Sequence, residues 1–519
     1  MSVITPQSNI KILQVPIGIN NANQITFSSK QTQYNYFNSL PKKVLENATY
    51  VRENGEICFN ANYDEVINYN YVMYQNEGYS DKWFYAFITN VRYISNGSVG
   101  ISIQTDYYQT WQFDITFKPS FVEREHVNND TIGLHTIPEN VETGDYICNE
   151  HIVDSNNANL CVVMGTTITI GELINAGANV YNGIPSGVMY YGFTDINSSS
   201  ANSLSSVLRM LAENGKSEGV NSLFIAPTWL TGGTGLINSS TSVATYDLGL
   251  SRMSQLNGYT PKNKKLLTHP FCYFIVSNAV GSTNVLKQEV WSLNNDNEMV
   301  LKVVGCLTPG CSIKAIPINY NGAGRNDDEA ISLGKFPMLN WINDQYTNWL
   351  TQNGVNIGLS VGASGLQLAG GLLAMGTGLG SGIGATSVLN GALGIAQSLG
   401  QVYQHSLTPP SVEGNVNSGD VTTASGATRF HIYKMSVKQE YAKVIDGYFS
   451  MYGYKVNEVK VPNLTGRRNW NYVKTIGANI IGNIPQMHLQ EIKNMFDSGI
   501  TLWHTTSNFL DYSANNDII

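Results

Sequence analysis

The side chains able to do chemistry are dispersed through this sequence. Its eight histidines show no HExxH spacing, so the paired-histidine face of a zinc protease helix is missing. Gly215-Lys216-Ser217 has the ending of a phosphate loop, but Met210 stands where the first glycine must be, and a helical pattern precedes it. Gly380, Gly382 and Ala385 follow the dinucleotide-binding spacing without a leading strand or a later acidic residue to hold a ribose. Asp327, Asp328 and Glu329 lack the acidic ladder of a calcium loop and read as a solvated turn. The six cysteines, at 58, 148, 161, 272, 306 and 311, contain no CxxC pair and are expected to be free buried thiols of a protein made in a reducing cytoplasm. Nothing points to paired carboxylates for glycan hydrolysis, whose separation is set in three dimensions. No catalytic, cofactor-binding or metal-ligating set emerges, so a structural protein is expected rather than an enzyme.

Two further clusters carry charge. Glu123-Arg124-Glu125-His126 reads as a salt-bridged strand end. Arg467-Arg468-Asn469-Trp470-Asn471-Tyr472-Val473-Lys474 interleaves bases with aromatics. That pattern suits either stacking on DNA or an exposed strand with alternating faces.

The most unusual stretch carries none of the charged side chains. From Gln345 to Val412, 68 consecutive residues contain no Asp, Glu, Lys or Arg, in a chain that is 13% charged. Gly354–Gly400 holds 14 of the 49 glycines and no aromatic residue; nine Leu, three Ile, three Val and one Met supply its apolar character. Solvent loops are richer in charge, and a core helix would lose about 1 kcal/mol at each interior glycine. A membrane suits the run better, because lipid offers no water to compete for backbone groups and small residues let helices pack closely. Gly376, Gly378, Gly380, Gly382 and Gly384 form a natural hinge, leaving about twenty residues on either side, near the length that crosses a bilayer. The residues expected to form the membrane-active loop are Leu359, Leu366, Leu368, Leu372, Leu373, Met375, Leu379, Ile383, Val388, Leu389, Leu393, Ile395 and Leu399. Fifteen aliphatic residues contribute roughly −0.3 to −0.6 kcal/mol each, about −7 in all, before polar residues are counted. Such a segment is marginal as an anchor and fits one that is hidden first and inserted later. His405 is its one titratable group besides tyrosines. The competing readings are a linker or a plug packed inside an assembly.

The elements that must position this run are mostly strands. A net charge of −8 disfavours gripping nucleic acid through phosphates. Twenty-nine Tyr and 58 Asn indicate a β-rich, turn-rich protein, and the length allows several domains. The N-terminal MSVITPQSNIKILQV lacks the basic start and apolar block of a signal peptide, which predicts a route out of the cell other than secretion. Strands are expected at Trp83–Ile94 and Val99–Phe113 around Asn96-Gly97, with Ile101, Ile103, Thr105 and Tyr107 on the buried face, and at Thr32–Phe37 and Tyr71–Tyr74. Cys161–Ile170 and Phe271–Val276 read as buried strands. One helix is marked by Leu204, Val207, Leu208 and Leu211, and another should run from Pro337 into the glycine-rich run. Beyond Pro409-Pro410 and a linker to Thr428, a helix is expected over Val437–Tyr452, with Tyr441, Val444, Ile445, Tyr448 and Met451 on one face and Gly453 as its stop. Strands follow at Tyr454–Val461 and Trp470–Ile476, then a helix over Gln486–Ser498 closed by Gly499. The fold class is therefore a β-rich, multi-domain α+β protein with few helices and a long glycine-rich insertion, and no internal repeat.

Several segments carry a likeness. Gln33-Tyr34-Asn35-Tyr36-Phe37-Asn38-Ser39, Lys82-Trp83-Phe84-Tyr85-Ala86-Phe87, Gln109-Thr110-Trp111 and Arg124-Glu125-His126-Val127 lie in the first quarter. Tyr452-Gly453-Tyr454-Lys455, Pro462-Asn463-Leu464 and Phe496-Asp497-Ser498-Gly499-Ile500-Thr501-Leu502-Trp503-His504 lie near the end. Together they resemble the tail knob, or distal tail tube, proteins of small short-tailed (podovirus) phages that infect Gram-positive bacteria. The likeness is close over about residues 30–130 and 430–505, in character only over the glycine-rich run, and poor over 150–335. It implies a virion protein, synthesised in the host cytoplasm, that forms a homo-hexameric tube with other tail proteins. Genomic DNA would leave through the lumen without specific binding. Hydrophobic loops would plug that lumen and then enter the lipid of the host cytoplasmic membrane, six marginal hairpins acting together. The expected division is 1–145 and 429–519 as the two parts of a tube-forming β-sheet or barrel domain, 146–335 as a middle or outer domain, and 336–428 as the membrane-active loop and linker. The alternative is a receptor-binding or adhesion tail protein that recognises cell-wall glycan.

Overall fold

The structure is a computed structural model. It describes residues 7–49, 51–76, 81–154, 156–166, 180–181, 184–185, 189–194, 200–214, 219–231, 237–239, 243–278, 283–291, 299–306, 313–321, 331–332, 338–340 and 429–519. These divide into two compact units, one drawn from Met1–Thr143, Tyr259–Leu266 and Gln439–Ile519, the other from Gly144–Gly258 and Leu267–Lys438.

The first unit contains a six-stranded antiparallel sheet of β1 (Gln7–Leu13), β3 (Lys42–Thr49), β4 (Glu56–Phe59), β5 (Tyr71–Asn76), β6 (Phe84–Ser95) and β7 (Ser98–Thr105), in the order β3-β1-β5-β6-β7-β4, with the short helix α2 (Tyr63–Val66) between β4 and β5. Asn96-Gly97 closes the β6–β7 hairpin, with Gly97 at φ 80°, the positive value that such a two-residue turn demands. The middle of the sheet is covered on both faces. Tyr71, Met73, Tyr85 and Phe87 join Phe37 in one apolar cluster, while Val72, Tyr74 and Ala86 join Ile10, Ile101 and Ile103 in another. That double burial is why Tyr71–Tyr74 reads as a continuous apolar run instead of an alternating one.

A second sheet joins distant parts of the chain. β2 (Asn23–Ile25) and β9 (Ser120–Glu125) combine with β10 (Tyr454–Lys460), β11 (Trp470–Ile476) and β13 (Ile500–Trp503) in the order β2-β13-β11-β9-β10. β8 (Ile115–Phe117) pairs with β12 (Ile480–Gly482). Helix α5 (Gln486–Ser498) lays Leu489, Ile492, Met495 and Phe496 into a cluster with Val473, Ile480, Ile500 and Leu502. Gly499 ends the helix at φ 94°.

Several expectations are revised. Thr32–Phe37 lies in helix α1 (Lys30–Ser39), because the Ser29 hydroxyl accepts the Thr32 N–H as an N-cap and Gln33 and Phe37, one helical turn apart, are both buried. Aromatic strand propensity loses to capping and packing there. The strand expected to reach Phe113 stops at Thr105: Asp106 caps α3 (Tyr107–Trp111) by accepting the Gln109 N–H. Burial alternates from Ile101 to Thr105, then Asp106 and Tyr108 are both buried. Helix α4 (Gln439–Tyr452) starts after Val437, which is still strand, and buries Ala442, Ile445, Asp446 and Phe449. Val444, expected inside, is 72% exposed, because the buried position is taken by a fully hydrogen-bonded aspartate.

In the second unit, Tyr146–Val153, His431–Val437, Cys272–Ser277 and Thr283–Leu286 form one sheet. Residues 431–437 therefore lie with this unit and not with the C-terminal strands. Leu160–Thr166 is the middle strand of a second sheet, with Met189–Phe193, Ile237–Ser239, Val220–Pro227 and Met338–Asn340. Val243–Leu250, Met299–Cys306, Lys314–Ile318 and Ile331–Ser332 form a third. Helix Leu204–Glu213 buries Leu204, Val207 and Leu211 as its stripe requires. Met338–Asn340, expected in a helix begun by Pro337, is an edge strand paired with Ser222–Phe224; the remainder of that helix, from 341 onward, lies outside the described residues. Cys161 and Cys272 are free and buried, whereas Cys58 and Cys148 are free and exposed, so burial holds for only two of these four thiols.

Candidate functional site

The residues singled out for membrane activity, from Leu359 to Leu399, and the hinge glycines Gly376 to Gly384 lie outside the described residues. So do His405, Asp327 to Glu329 and Gly215 to Ser217. Among the described residues no helix is long and apolar enough to cross a membrane.

Arg467 to Lys474 is described, and it offers no stacking platform. The Trp470 ring is 1% exposed, held 5.0 Å from Trp503 and 5.2 Å from Tyr512. Lys474 pairs with Glu123 at 2.8 Å. Arg467 to Asn469 lie in the loop before strand β11, and from Asn471 to Lys474 the strand alternates buried and half-buried residues, so the alternating faces are present, on an inner strand instead of an exposed one, and base stacking on Trp470 is sterically closed.

What the first unit does build is a buried polar junction where strands remote in sequence meet. The Glu139 side chain, 1% exposed, pairs with Arg124 and, at 2.6 Å, with Lys265, whose side chains are 11% and 3% exposed. It also accepts the Lys455 N–H at 2.8 Å. One carboxylate thus ties β9, the 259–266 segment and β10. Arg124 donates onward to the Gly453 carbonyl at 2.6 Å. Glu125 takes Lys460 at 2.6 Å and the Asn463 N–H at 2.8 Å, so the mixed-charge cluster is indeed a salt-bridged strand end. Asp446 accepts the Tyr259 hydroxyl and the N–H groups of Lys262 and Asn263. Asp130 accepts from Tyr454 and from the Lys264 N–H. Burial lowers the pKa of Lys265 against the pull of Glu139. Glu139, Asp446, Asp130 and Lys265 carry no linear motif, because their partners lie up to 324 positions away.

Two buried groups in this unit titrate far from their usual range. His126 accepts the Tyr472 N–H at Nδ1 and faces the Ser450 carbonyl with Nε2. The first bond fixes the tautomer, since an amide can only donate: Nε2 carries the proton. Desolvation, with help from Arg467 and Arg124, pulls the imidazole down to about 3. Asp106 is wholly buried and accepts from Gln109 N–H and Tyr71 OH; desolvation outweighs these bonds and pushes it up to about 6. The signs oppose. A depressed histidine stabilises the fold above pH 6.5 and loses that stability as pH falls toward 3; a raised aspartate stabilises fully below about 4 and loses it as pH rises through 6. Over about pH 4 to 6 the two slopes offset one another. Asp106→Asn keeps an N-cap acceptor and removes one slope. Its unfolding free energy should climb with pH across that window by up to about 1.4 kcal/mol per unit while the parent stays flatter. Denaturant titrations at several pH values decide this; parallel profiles would refute it.

The comparisons agree with this architecture. The caudoviral major tail protein N-terminus profile matches residues 6–116, which include the six-stranded sheet, and together with the longer match that follows the class of protein is a structural component of a phage tail. The C-terminal domain profile of the tail knob protein gp9 of Bacillus phage phi29 matches residues 237–517, more than half of the chain, and the chain belongs to this tail knob family. The tail knob protein gp9 of Bacillus phage PZA is 29% identical over 98% of each chain, and that of Bacillus phage phi29 is 28% identical over 98% of each. The counterpart from Bacillus phage B103 is 26% identical over 95% of each. The structure of the bacteriophage C1 tail knob protein, gp12, covers 99% of this chain and 100% of its own, with a TM-score of 0.63 at 16% identity. At that identity the likeness is one of fold.

Proposed function

We propose that the protein forms the distal tail tube, as a homo-hexamer through which phage DNA is ejected. Its charge-free run would plug the lumen before infection and afterwards enter the host cytoplasmic membrane. One observation carries the reading: a tail knob family member holds 68 residues without a charge, Gln345 to Val412, 14 of whose glycines fall within Gly354–Gly400. Membership of a tail family makes an assembly the natural place to hide such a run, and the acidic balance of the chain favours releasing DNA over holding it. No enzymatic step is assigned.

The test is dye release from phospholipid vesicles by the purified chain, at about pH 7.5 and about pH 5.5, either side of the usual imidazole pKa. A variant with Gly354–Gly400 replaced by a short Gly-Ser linker is run beside it, and native mass is measured on both. Leakage by the parent alone, from an assembled species, is the expected result. A protomer-sized mass under every condition would overturn the tube. Leakage from neither would reduce the run to a plug or linker, and glycan binding without leakage would favour an adhesion role.

A further inference from the structure

The cleft that the C-terminal tail closes has a feature the junction does not use. It is small, about 40 Å³, and Arg467, Lys262, His126, Tyr512, Asn516 and Asp517 line it. That is room for roughly three waters or one small oxyanion. Its outer wall is pinned in place: the Asn516 side chain accepts the N–H groups of Asn469 at 2.7 Å and Trp470 at 3.1 Å and donates to the Trp470 carbonyl at 2.8 Å.

Arg467 is the unexplained group. The residue is 8% exposed, and no carboxylate pairs with it within the reach of a salt bridge among the described residues. Its Nε has no partner, and Nη1 reaches the Asn516 carbonyl only at 3.5 Å. Asp130 and Asp517 act on it from farther off, but both are engaged elsewhere, Asp130 by Tyr454 and Lys264 and Asp517 by the Asn515 amide. A buried guanidinium without a paired anion is costly, and its planar fork matches two oxygens of a tetrahedral anion. Lys262, an exposed residue, also lines the cleft and adds a second positive charge beside it. His126 contributes no charge, being held neutral as described above.

We infer that this cleft binds a phosphate-type oxyanion, with Arg467 as its buried anchor and Lys262 at its mouth. The ion would supply the acceptor that Arg467 Nε lacks and would brace the C-terminal tail against the 462–469 loop. Two sources share this chemistry, free inorganic phosphate and a terminal phosphomonoester.

The experiment is calorimetric titration of the full chain with inorganic phosphate and, separately, with glycerol 3-phosphate, against chloride at matched ionic strength. Saturable heat with phosphate, and a phosphate-dependent rise in Tm beyond that with chloride, is expected. Saturation by the ester as well would identify a monoester site; by phosphate alone, a free-ion site. Lys262→Gln, on an exposed side chain, should weaken binding about ten-fold, the value of one charge-assisted contact, and Arg467→Gln should abolish it. Absence of saturable binding to the parent, or unchanged binding in Lys262→Gln, would overturn the assignment even if Arg467→Gln fails to fold.

Discussion

Exchanging Glu139 for alanine should destabilise the first unit by about 3–5 kcal/mol, the cost of leaving buried charge unpaired. The size follows from what the carboxylate holds. Arg124 and Lys265 are both nearly enclosed, and Glu139 is the carboxylate that neutralises both. What remains brings no counter-charge: Arg124 keeps the Gly453 carbonyl at 2.6 Å and lies 5.0 Å over the Tyr448 ring, and Lys265 lies 5.3 Å over Tyr454, ring contacts worth about 1–2 kcal/mol each when desolvated. The two cations would respond differently. Lysine can shed its proton when a buried counter-charge is removed, and burial already lowers Lys265, so part of its penalty is relieved. Arginine stays charged. The double variant Glu139→Ala with Arg124→Met should therefore recover more stability than Glu139→Ala with Lys265→Met. Urea titrations with unchanged m-value would measure all three. A loss below about 1 kcal/mol for Glu139→Ala, the value of an exposed pair, would mean that the junction is open to solvent.

Features that act within a few residues were legible in the sequence. Asn96-Gly97 forms its hairpin, Gly453 and Gly499 end their helices at positive φ, and the period-3.6 stripe of Gln486–Ser498 faces the core. Features that depend on distant partners were not. Gln33 looks like any polar residue in an aromatic run, yet it is buried and donates to the Gln109 carbonyl at 2.8 Å and side chain at 3.0 Å, which favours helix over strand for α1. The apolar face of α4 was misplaced because Asp446 counts as polar in any pattern, while in the fold it receives donors from Tyr259 to Asn263 and belongs inside. The charge-free run from Gln345 to Val412 stands out through composition alone, which reports an environment without naming atoms. Glu139 left no sign: its cationic partners lie 15 and 126 positions away, and a lone glutamate among Ile137, Pro138 and Asn140 has no pattern.

Gly453→Ala should be at least as damaging as an ordinary core truncation, costing about 3 kcal/mol or more, for two separable reasons. The backbone there has φ 63°, which costs a residue with a side chain about 1–2 kcal/mol. A Cβ would also run into the Glu125 carbonyl oxygen and the His126 nitrogen of the neighbouring chain segment, and overpacking of this kind adds about 1–3 kcal/mol. Neither obstacle can step aside cheaply. β9 is paired on both sides, by β10 and β11, and Arg124 holds the Gly453 carbonyl while Glu139 holds Arg124. Gly477 provides the control, since its φ is 67° and a Cβ there meets nothing within 4 Å. Gly477→Ala should therefore show the conformational cost alone, about 1–2 kcal/mol. The difference between the two substitutions, read from denaturant midpoints under one set of conditions, isolates the close approach of the α4–β10 turn to β9. Equal losses would mean that the turn stands off from that strand, and that Gly453 is needed only to end a helix.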